Sequence, residues 1–133
     1  MTTQKKNILK TVELDFATIH LMKNGVLYFL PFTHVVGLNT KQIEEIYQAV
    51  ILLTKEKPTP LYVDLKTHIR LNGDEKSLVV SKLASCITAC GIKENNVIIR
   101  YVVHAFNHLY KPAVPIKMFK TEDEALEWLI TYK

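Results

Sequence analysis

Two histidines stand at a spacing that suits metal binding. His104 and His108 are four residues apart, so on a helix both imidazoles could point at one ion. The H-E-x-x-H zinc motif needs a glutamate directly after the first histidine, and Ala105 occupies that position. A third ligand would have to come from His34 or His68 on predicted loops. We therefore expect one surface and one packed histidine, and no metal site.

Cys86 and Cys90 are the only cysteines of the chain. Their C-x3-C spacing differs from the C-x2-C spacing of redox motifs. If both lie on one helix, they share a face one turn apart, a separation that poorly matches disulfide geometry. The spacing favours a buried pair of free thiols, with a redox or metal pair as the alternative.

Asp64 is a carboxylate inside an apolar strand, Leu61–Leu65. The carboxyl end of a parallel strand is where open α/β sheets bind ligands. Such a carboxylate can equally cap a loop or accept backbone N–H groups, and we expect that structural role. The four glycines form neither a dinucleotide-binding nor a P-loop array. No catalytic set and no cofactor site can be assembled, so we expect a protein without enzymatic activity.

Aromatic side chains cluster in the second half of the sequence. Tyr101, Phe106 and Tyr110 straddle a predicted strand end and a short helix, where an apolar groove could open. Phe119, close to Trp128, is a further candidate for that groove. Packing in the core or at an interface is the alternative for all of them.

Length and composition indicate one soluble domain. The chain has 133 residues and a formal charge of +4, with only two arginines among 17 basic residues. Nucleic-acid readers usually cluster basic residues and use arginine, so we expect none bound. No apolar run reaches the length of a membrane span or follows the basic start as a signal peptide would. We expect a cytoplasmic protein with a flexible tail over residues 1–10 and one domain over residues 11–133.

The elements that must position these residues begin with a hairpin. The pair Asn24-Gly25 is the strongest short hairpin signal. It separates a predicted strand over Glu13–Leu21 from an apolar strand over Val26–Leu30. An exposed hairpin edge could pair with a second copy, so a homodimer is possible.

After the hairpin, helices and strands alternate, which predicts mostly parallel strands with right-handed crossovers. The fold class is α/β, with about four helices. The predicted elements are a helix from Asn39 or Thr40 to Glu56, a strand at Leu61–Leu65, a helix from Asp74 to Cys90 that Gly91 ends, a strand at Asn96–Val103, a helix at His104–Tyr110, a strand near Pro115–Phe119 and a helix capped by Thr121 and Glu124.

The order of elements and two motifs resemble the STAS-type, anti-sigma-factor-antagonist-like domains. The first motif is the Asp-bearing strand Leu61–Leu65 with the following loop and helix. The second is Pro112–Phe119 followed by Glu124–Leu129, an ending similar to that of small bacterial STAS-like proteins. The resemblance spans about residues 11–132 and implies a SpoIIAA-like β-α superhelix with a non-catalytic regulatory role.

In signalling members of that family, a partner kinase phosphorylates a serine where the loop after the Asp-bearing strand meets the helix. Here Asp74 and Glu75 stand at about the positions where that family has serines, and Ser77 lies further along the chain. The resemblance implies an interaction module that binds an unknown protein partner through this loop and helix. The alternative is a small apolar-ligand, lipid-like carrier that uses the aromatic groove. The residues expected to contact the partner are Asp64, Asn72, Gly73, Asp74, Glu75 and Ser77.

Overall fold

The computed structural model describes residues 7–66 and 68–133. Within them, six strands form one sheet and four α-helices connect or follow the strands. The strands are β1 (Ile8–Glu13), β2 (Ala17–Met22), β3 (Leu27–Pro31), β4 (Thr59–Val63), β5 (Ile87–Lys93) and β6 (Ile116–Phe119). The helices are α1 (Thr40–Thr54), α2 (Gly73–Cys86), α3 (Val97–Tyr110) and α4 (Glu122–Leu129), which a short 3₁₀ turn, Ile130–Tyr132, extends.

The strands lie in the sheet in their order along the chain. β1, β2 and β3 pair antiparallel, and β3, β4, β5 and β6 pair parallel. One helix connects each strand to the next in the parallel part of the sheet, as in successive βαβ units. The predicted fold class, an N-terminal antiparallel part followed by a mostly parallel sheet with four helices, is confirmed.

Alternation along the central strands explains why the helices divide between the two faces of the sheet. In β3, Leu27 and Phe29 belong to the larger apolar core, which also contains residues of α1, α2 and α3. Tyr28 between them points to the opposite face, as does Tyr62 of β4. Successive side chains of a strand point to opposite faces, so the sheet carries three helices on one side and α4 on the other.

The hairpin turn is confirmed, but the strand before it is divided. Gly25 has a φ of +90°, and its N–H donates to the carbonyl of Met22 at 3.0 Å. The predicted strand Glu13–Leu21 is confirmed from Ala17 onwards but wrong before it, because the chain turns after Glu13, where the N–H of Leu14 donates to the carbonyl of Ala17. β1 therefore starts at Ile8, within the predicted tail, while residues 1–6 of that tail lie outside the described residues.

Capping boxes begin both α1 and α2. At α1, Asn39 Oδ1 accepts from the N–H of Gln42, and Gln42 Oε1 accepts from the N–H of Asn39. Of the two predicted N-caps, Asn39 and Thr40, the structure therefore has Asn39. At α2 the same reciprocal pair joins Asn72 and Glu75. Asp74 was expected to cap α2 but lies inside its first turn. The predicted cap is wrong by two residues because an amide side chain at position 72 satisfies the orphan N–H first.

The predicted helix is confirmed up to Cys86, but its extension to Cys90 is wrong, since α2 ends at Cys86 and β5 begins at Ile87. Gly91 is therefore a strand residue and not a helix stop. A Cβ atom at Gly91 would lie 3.2 Å from Leu129 Cδ1 of α4, so the missing side chain lets α4 approach β5 closely.

The predicted strand Asn96–Val103 is also wrong, because the whole segment is the first part of α3. Asn96 Oδ1 accepts from the N–H of Ile99 and so caps the helix. Ile99 and Val103, four residues apart, are its two buried residues. Strand propensity of a β-branched run is a weak preference that tertiary contacts override.

The C-terminal strand and helix are confirmed. Thr121 Oγ1 accepts from the N–H of Glu124 at 3.2 Å, which is one half of the predicted capping box. Trp128 is partly buried against the α4-side core, between the rings of Phe119 and Tyr132. In the described part of the chain, no helix combines the length and the apolar character that crossing a bilayer would require.

Candidate ligand-binding cavity

A cavity of about 520 Å³ lies on the three-helix face of the sheet. Its floor is made of inward-pointing strand residues such as Phe29 and Val63, and its walls come from all three helices. Tyr101 and Leu109 of α3 belong to its lining and are exposed, so the cavity opens to solvent beside α3.

The cavity exists because α3 contacts the sheet along a narrow stripe. Only Ile99 and Val103 of this helix are buried, although most of its residues are apolar. Asn107 Nδ2 donates to the carbonyl of Ile116 at 3.0 Å and holds the second half of α3 near β6. The rings of Phe106 and Tyr110 stack with centroids 5.3 Å apart, and both rings line the cavity wall.

The charged side chains of the lining are all basic. Arg70, Lys76, Lys82 and His68 all line the cavity, and no described residue that lines it is acidic. Lys82 Nζ lies 3.4 Å from Glu44 Oε2 and 4.1 Å from the ring centroid of Tyr47. Lys76 Nζ lies 6.0 Å from the ring centroid of Tyr110 at the end of α3. An apolar space with a few basic groups suits an apolar or amphiphilic molecule.

Both cysteines line this cavity and both are free thiols. Cys86 Sγ donates to the carbonyl of Lys82 at 3.1 Å. Burial raises the pKa of Cys86, and it raises the pKa of Cys90 to about 12. Both groups therefore remain protonated at neutral pH, which makes them poor nucleophiles and poor metal ligands.

Asp64 lies at the carboxyl end of β4 but outside the cavity lining, and its contacts are structural. Its Oδ1 accepts a 2.7 Å hydrogen bond from Asn95 Nδ2, and its Oδ2 lies 3.1 Å from Lys66 Nζ. Asn95 also donates to the carbonyl of Leu65 at 2.5 Å. The buried carboxylate thus joins the end of β4 to the loop that leads into α3.

The other residues predicted to bind a partner lie at the start of α2. Asn72 and Glu75 are occupied by the capping box, with Asn72 still exposed. Gly73, Asp74 and Ser77 are exposed on the first turn. The structure therefore separates this set into a buried anchor, Asp64, and an exposed helix start.

The predicted aromatic groove is divided between the two faces of the sheet. Tyr101, Phe106 and Tyr110 line the cavity. Phe119 does not belong with them, because it packs on the α4 side with Trp128, at 5.4 Å between ring centroids. Phe119 is thus a correction to the predicted groove.

The histidine pair lies on α3 with both residues exposed, so the expectation that one of them is packed is wrong. His104 and His108 keep the i,i+4 spacing on this helix. Within residues 7–66 and 68–133, no group of three or more histidine, cysteine or acidic residues could hold a metal ion.

Sequence reasoning missed the residues of α2 that line the cavity. Lys76, Val79 and Leu83 of α2 all line it, and they repeat at spacings of three and four residues. That spacing marks one helix face. A lysine on an otherwise apolar face was the available signal, although many such lysines only cover the rim of a core with their methylene stems.

The fold defines the class of protein. Three crossover helices on one face of a sheet with sequential strand order form a SpoIIAA-like fold. The solved structure of an uncharacterized protein from the DUF3478 family with a SpoIIAA-like fold, from Shewanella loihica PV-4, is similar over 97% of this chain and 98% of that one. The TM-score is 0.52 and the sequence identity is 14%, a likeness that shows the fold alone.

The chain belongs to the family described as Domain of unknown function (DUF7793), whose model matches residues 20–133. A search of curated proteins found no match. The SpoIIAA-like fold that the sequence resemblance implied is therefore confirmed.

Proposed function

We propose that this protein binds a small apolar or amphiphilic molecule in the cavity between the sheet and its three crossover helices, without catalysing a reaction. The observation that carries the proposal is the cavity of about 520 Å³. Ligand sites generally occupy roughly 300–1,000 Å³, and most of their lining is apolar. The size and lining of this cavity meet both conditions.

The energetic argument rests on the apolar surface that the cavity leaves uncovered. Phe29, Val79, Leu83 and Phe106 line it, and a hydrocarbon chain would remove their surfaces from water. Each buried methylene contributes about 0.8 kcal/mol, so each added methylene of a bound chain should tighten binding about fourfold. A chain-length series therefore reports directly on burial in the cavity.

The test is a titration of the whole protein with straight-chain alcohols of increasing length, followed by displacement of the neutral dye Nile red. We expect affinity to rise with each methylene until the chain fills the cavity. Native mass spectrometry of the purified protein adds a second readout, since a co-purified ligand would appear as an added mass. Alcohols that fail to displace the dye, or affinity that does not depend on chain length, would contradict the proposal.

A second candidate function is that of an interaction module which presents the start of α2 to a protein partner. Gly73, Asp74 and Ser77 support it because they are exposed at the start of α2. In signalling members of the STAS-type family that the chain resembles, the phosphorylated serine lies at this start. Capture experiments on a lysate of the source organism, with wild type and Asp74→Lys compared, test this role. It predicts a protein that is captured by the wild type and lost with the variant, and no such protein should appear if the role is absent.

A further inference from the structure

Two of the basic residues in the cavity lining have no ion-pair partner in the described part of the chain. Lys82 is paired with Glu44, whereas Arg70 and Lys76 form no ion pair with any described residue. Arg70 lies two residues before Asn72, the N-cap of α2, and Lys76 lies in the first turn of this helix. Both charges therefore lie near the N-terminal end of α2, and both line the cavity.

The position of Arg70 is fixed by the backbone on which it stands. Its N–H donates to the carbonyl of Val36 at 2.9 Å, and the residue forms an isolated parallel bridge with Gly37. Lys76 reaches from α2 towards Tyr110 at the end of α3. A guanidinium and an ammonium are thus supplied from two separately anchored segments at the margin of an apolar space.

We propose that the ligand is a single-chain amphiphile with an anionic head group, which Arg70 and Lys76 bind while the hydrocarbon chain occupies the cavity. This inference rests on the proposed function and adds the chemical class of the ligand to it. Carboxylate and phosphate head groups share the required chemistry, because both accept short, charge-assisted hydrogen bonds from arginine and lysine. A cationic head group is disfavoured because no described residue of the lining is acidic.

The experiment compares three ligands with the same twelve-carbon chain, dodecanoate, dodecyl phosphate and dodecanol, by displacement of Nile red from the full chain. We expect the two anions to bind at least about tenfold more tightly than the alcohol. A tenfold difference in affinity is about what one hydrogen bond between charged groups contributes. Raising the ionic strength should weaken binding of the anions and leave the alcohol unchanged. The stronger of the two anions identifies the head group.

Arg70→Gln and Lys76→Gln, alone and together, remove the charge and leave a shorter, neutral polar side chain. The double variant should bind all three ligands with the affinity of the alcohol, which also shows that its cavity is intact. The matched control is Lys120→Gln, which removes one exposed charge next to α4, on the other side of the sheet. This control should keep the preference for anions.

The two levels of the proposal fail in different ways. Equal binding of the three ligands by the wild type would overturn the anionic head group while the apolar cavity stands. An anion preference that survives in the double variant would overturn the roles of Arg70 and Lys76. Failure of all three ligands to bind would overturn both the head-group inference and the proposed function.

Discussion

Asn95 donates a hydrogen bond to Asp64, with 2.7 Å between Nδ2 and Oδ1, and so connects two successive crossover units of the sheet. Asp64 ends the β4 unit, and Asn95 stands next to Asn96, the N-cap of α3. The start of α3, the helix that forms one wall of the cavity, is therefore held by a buried carboxylate of the neighbouring strand.

Asp64→Ala and Asn95→Ala should each destabilise the fold by about 2 kcal/mol, because hydrogen bonds to charged groups contribute roughly 1.5–3 kcal/mol. Each substitution also leaves the remaining polar partner without its hydrogen bond. The loss of stability in the double variant should be clearly smaller than the sum of the losses in the two single variants, since the residues are in direct contact. Urea denaturation of the four proteins in this cycle measures the coupling.

Lys66→Ala is the control for this cycle. Lys66 contacts the same carboxylate, but its side chain is 48% exposed. Exposed ion pairs contribute roughly 0–1 kcal/mol, so this variant should remain close to wild type. Additive losses in the double variant, or a Lys66→Ala loss as large as that of Asn95→Ala, would show that the Asp64–Asn95 contact does not anchor α3.

Two adjacent valines of α2 allow the cavity to be filled with a matched control. Val79 lines the cavity, whereas its neighbour Val80 is similarly half-buried and does not. Val79→Trp should occupy cavity space and weaken binding of dodecanol by at least about tenfold, since several methylenes lose their site. Val80→Trp should leave the affinity near that of the wild type.

Nile red displacement gives the affinities, and circular dichroism checks that both variants keep their helices. Equal affinities for the two variants would mean that the alcohol binds elsewhere on the protein. A loss of affinity confined to Val80→Trp would contradict the assignment of the cavity as the binding site.

Local signals determined which parts of the fold could be predicted. The turn at Asn24-Gly25 and the caps at Asn39 and Thr121 act within three or four residues, so the sequence displays them directly. Gly91 fits a helix stop equally well until Leu129, at the far end of α4, is known to pack on it. The wrongly predicted segments around Cys90 and Asn96 are both places where distant contacts decide between strand and helix.

The candidate site was predicted only in part for the same reason. Tyr101, Phe106 and Tyr110 could be identified because they cluster along the chain. Their relation to Lys76 depends on the approach of this α2 side chain to Tyr110 at the end of α3, which no local pattern reports. Asp64 stood out as a lone carboxylate in an apolar strand, but its partner Asn95 is 31 residues away.

Two tyrosines on the α4 side of the sheet predict opposite responses to loss of the hydroxyl. Tyr28 OH donates to Glu122 Oε2 at 2.6 Å, whereas the buried hydroxyl of Tyr62 has no hydrogen-bond partner among the described residues. Tyr28→Phe should cost about 1.5–3 kcal/mol, because the hydroxyl is bonded to a charged group. Tyr62→Phe should leave stability unchanged or raise it, because a buried hydroxyl without a partner has lost its hydration without compensation.

The rings stand 4.8 Å apart, so each variant is the natural control for the other in urea denaturation. Phenylalanine keeps the ring packing in both cases, and the difference between the variants isolates the hydroxyls. A loss in Tyr62→Phe equal to that in Tyr28→Phe would mean that the Tyr62 hydroxyl is also bonded in solution.

Cys90 predicts a loss of stability at alkaline pH. Burial raises the pKa of its thiol from 9.0 to about 12, so the folded protein keeps a proton that the unfolded chain releases above about pH 9. Stability falls with rising pH wherever the folded state binds more protons. The contribution of this thiol is therefore complete below about pH 9 and is lost as the pH rises towards about 12.

The slope approaches roughly 1.4 kcal/mol for each pH unit within that window. Cys90→Ala removes the titrating group, so its free energy of unfolding should fall less steeply than that of the wild type. Tyr28 and Tyr62, whose pKa values are also raised by burial, contribute equally to both proteins and cancel in the difference. Urea denaturation at a series of pH values measures the two slopes; parallel curves would show that the Cys90 thiol ionises as readily in the folded protein as in the unfolded chain.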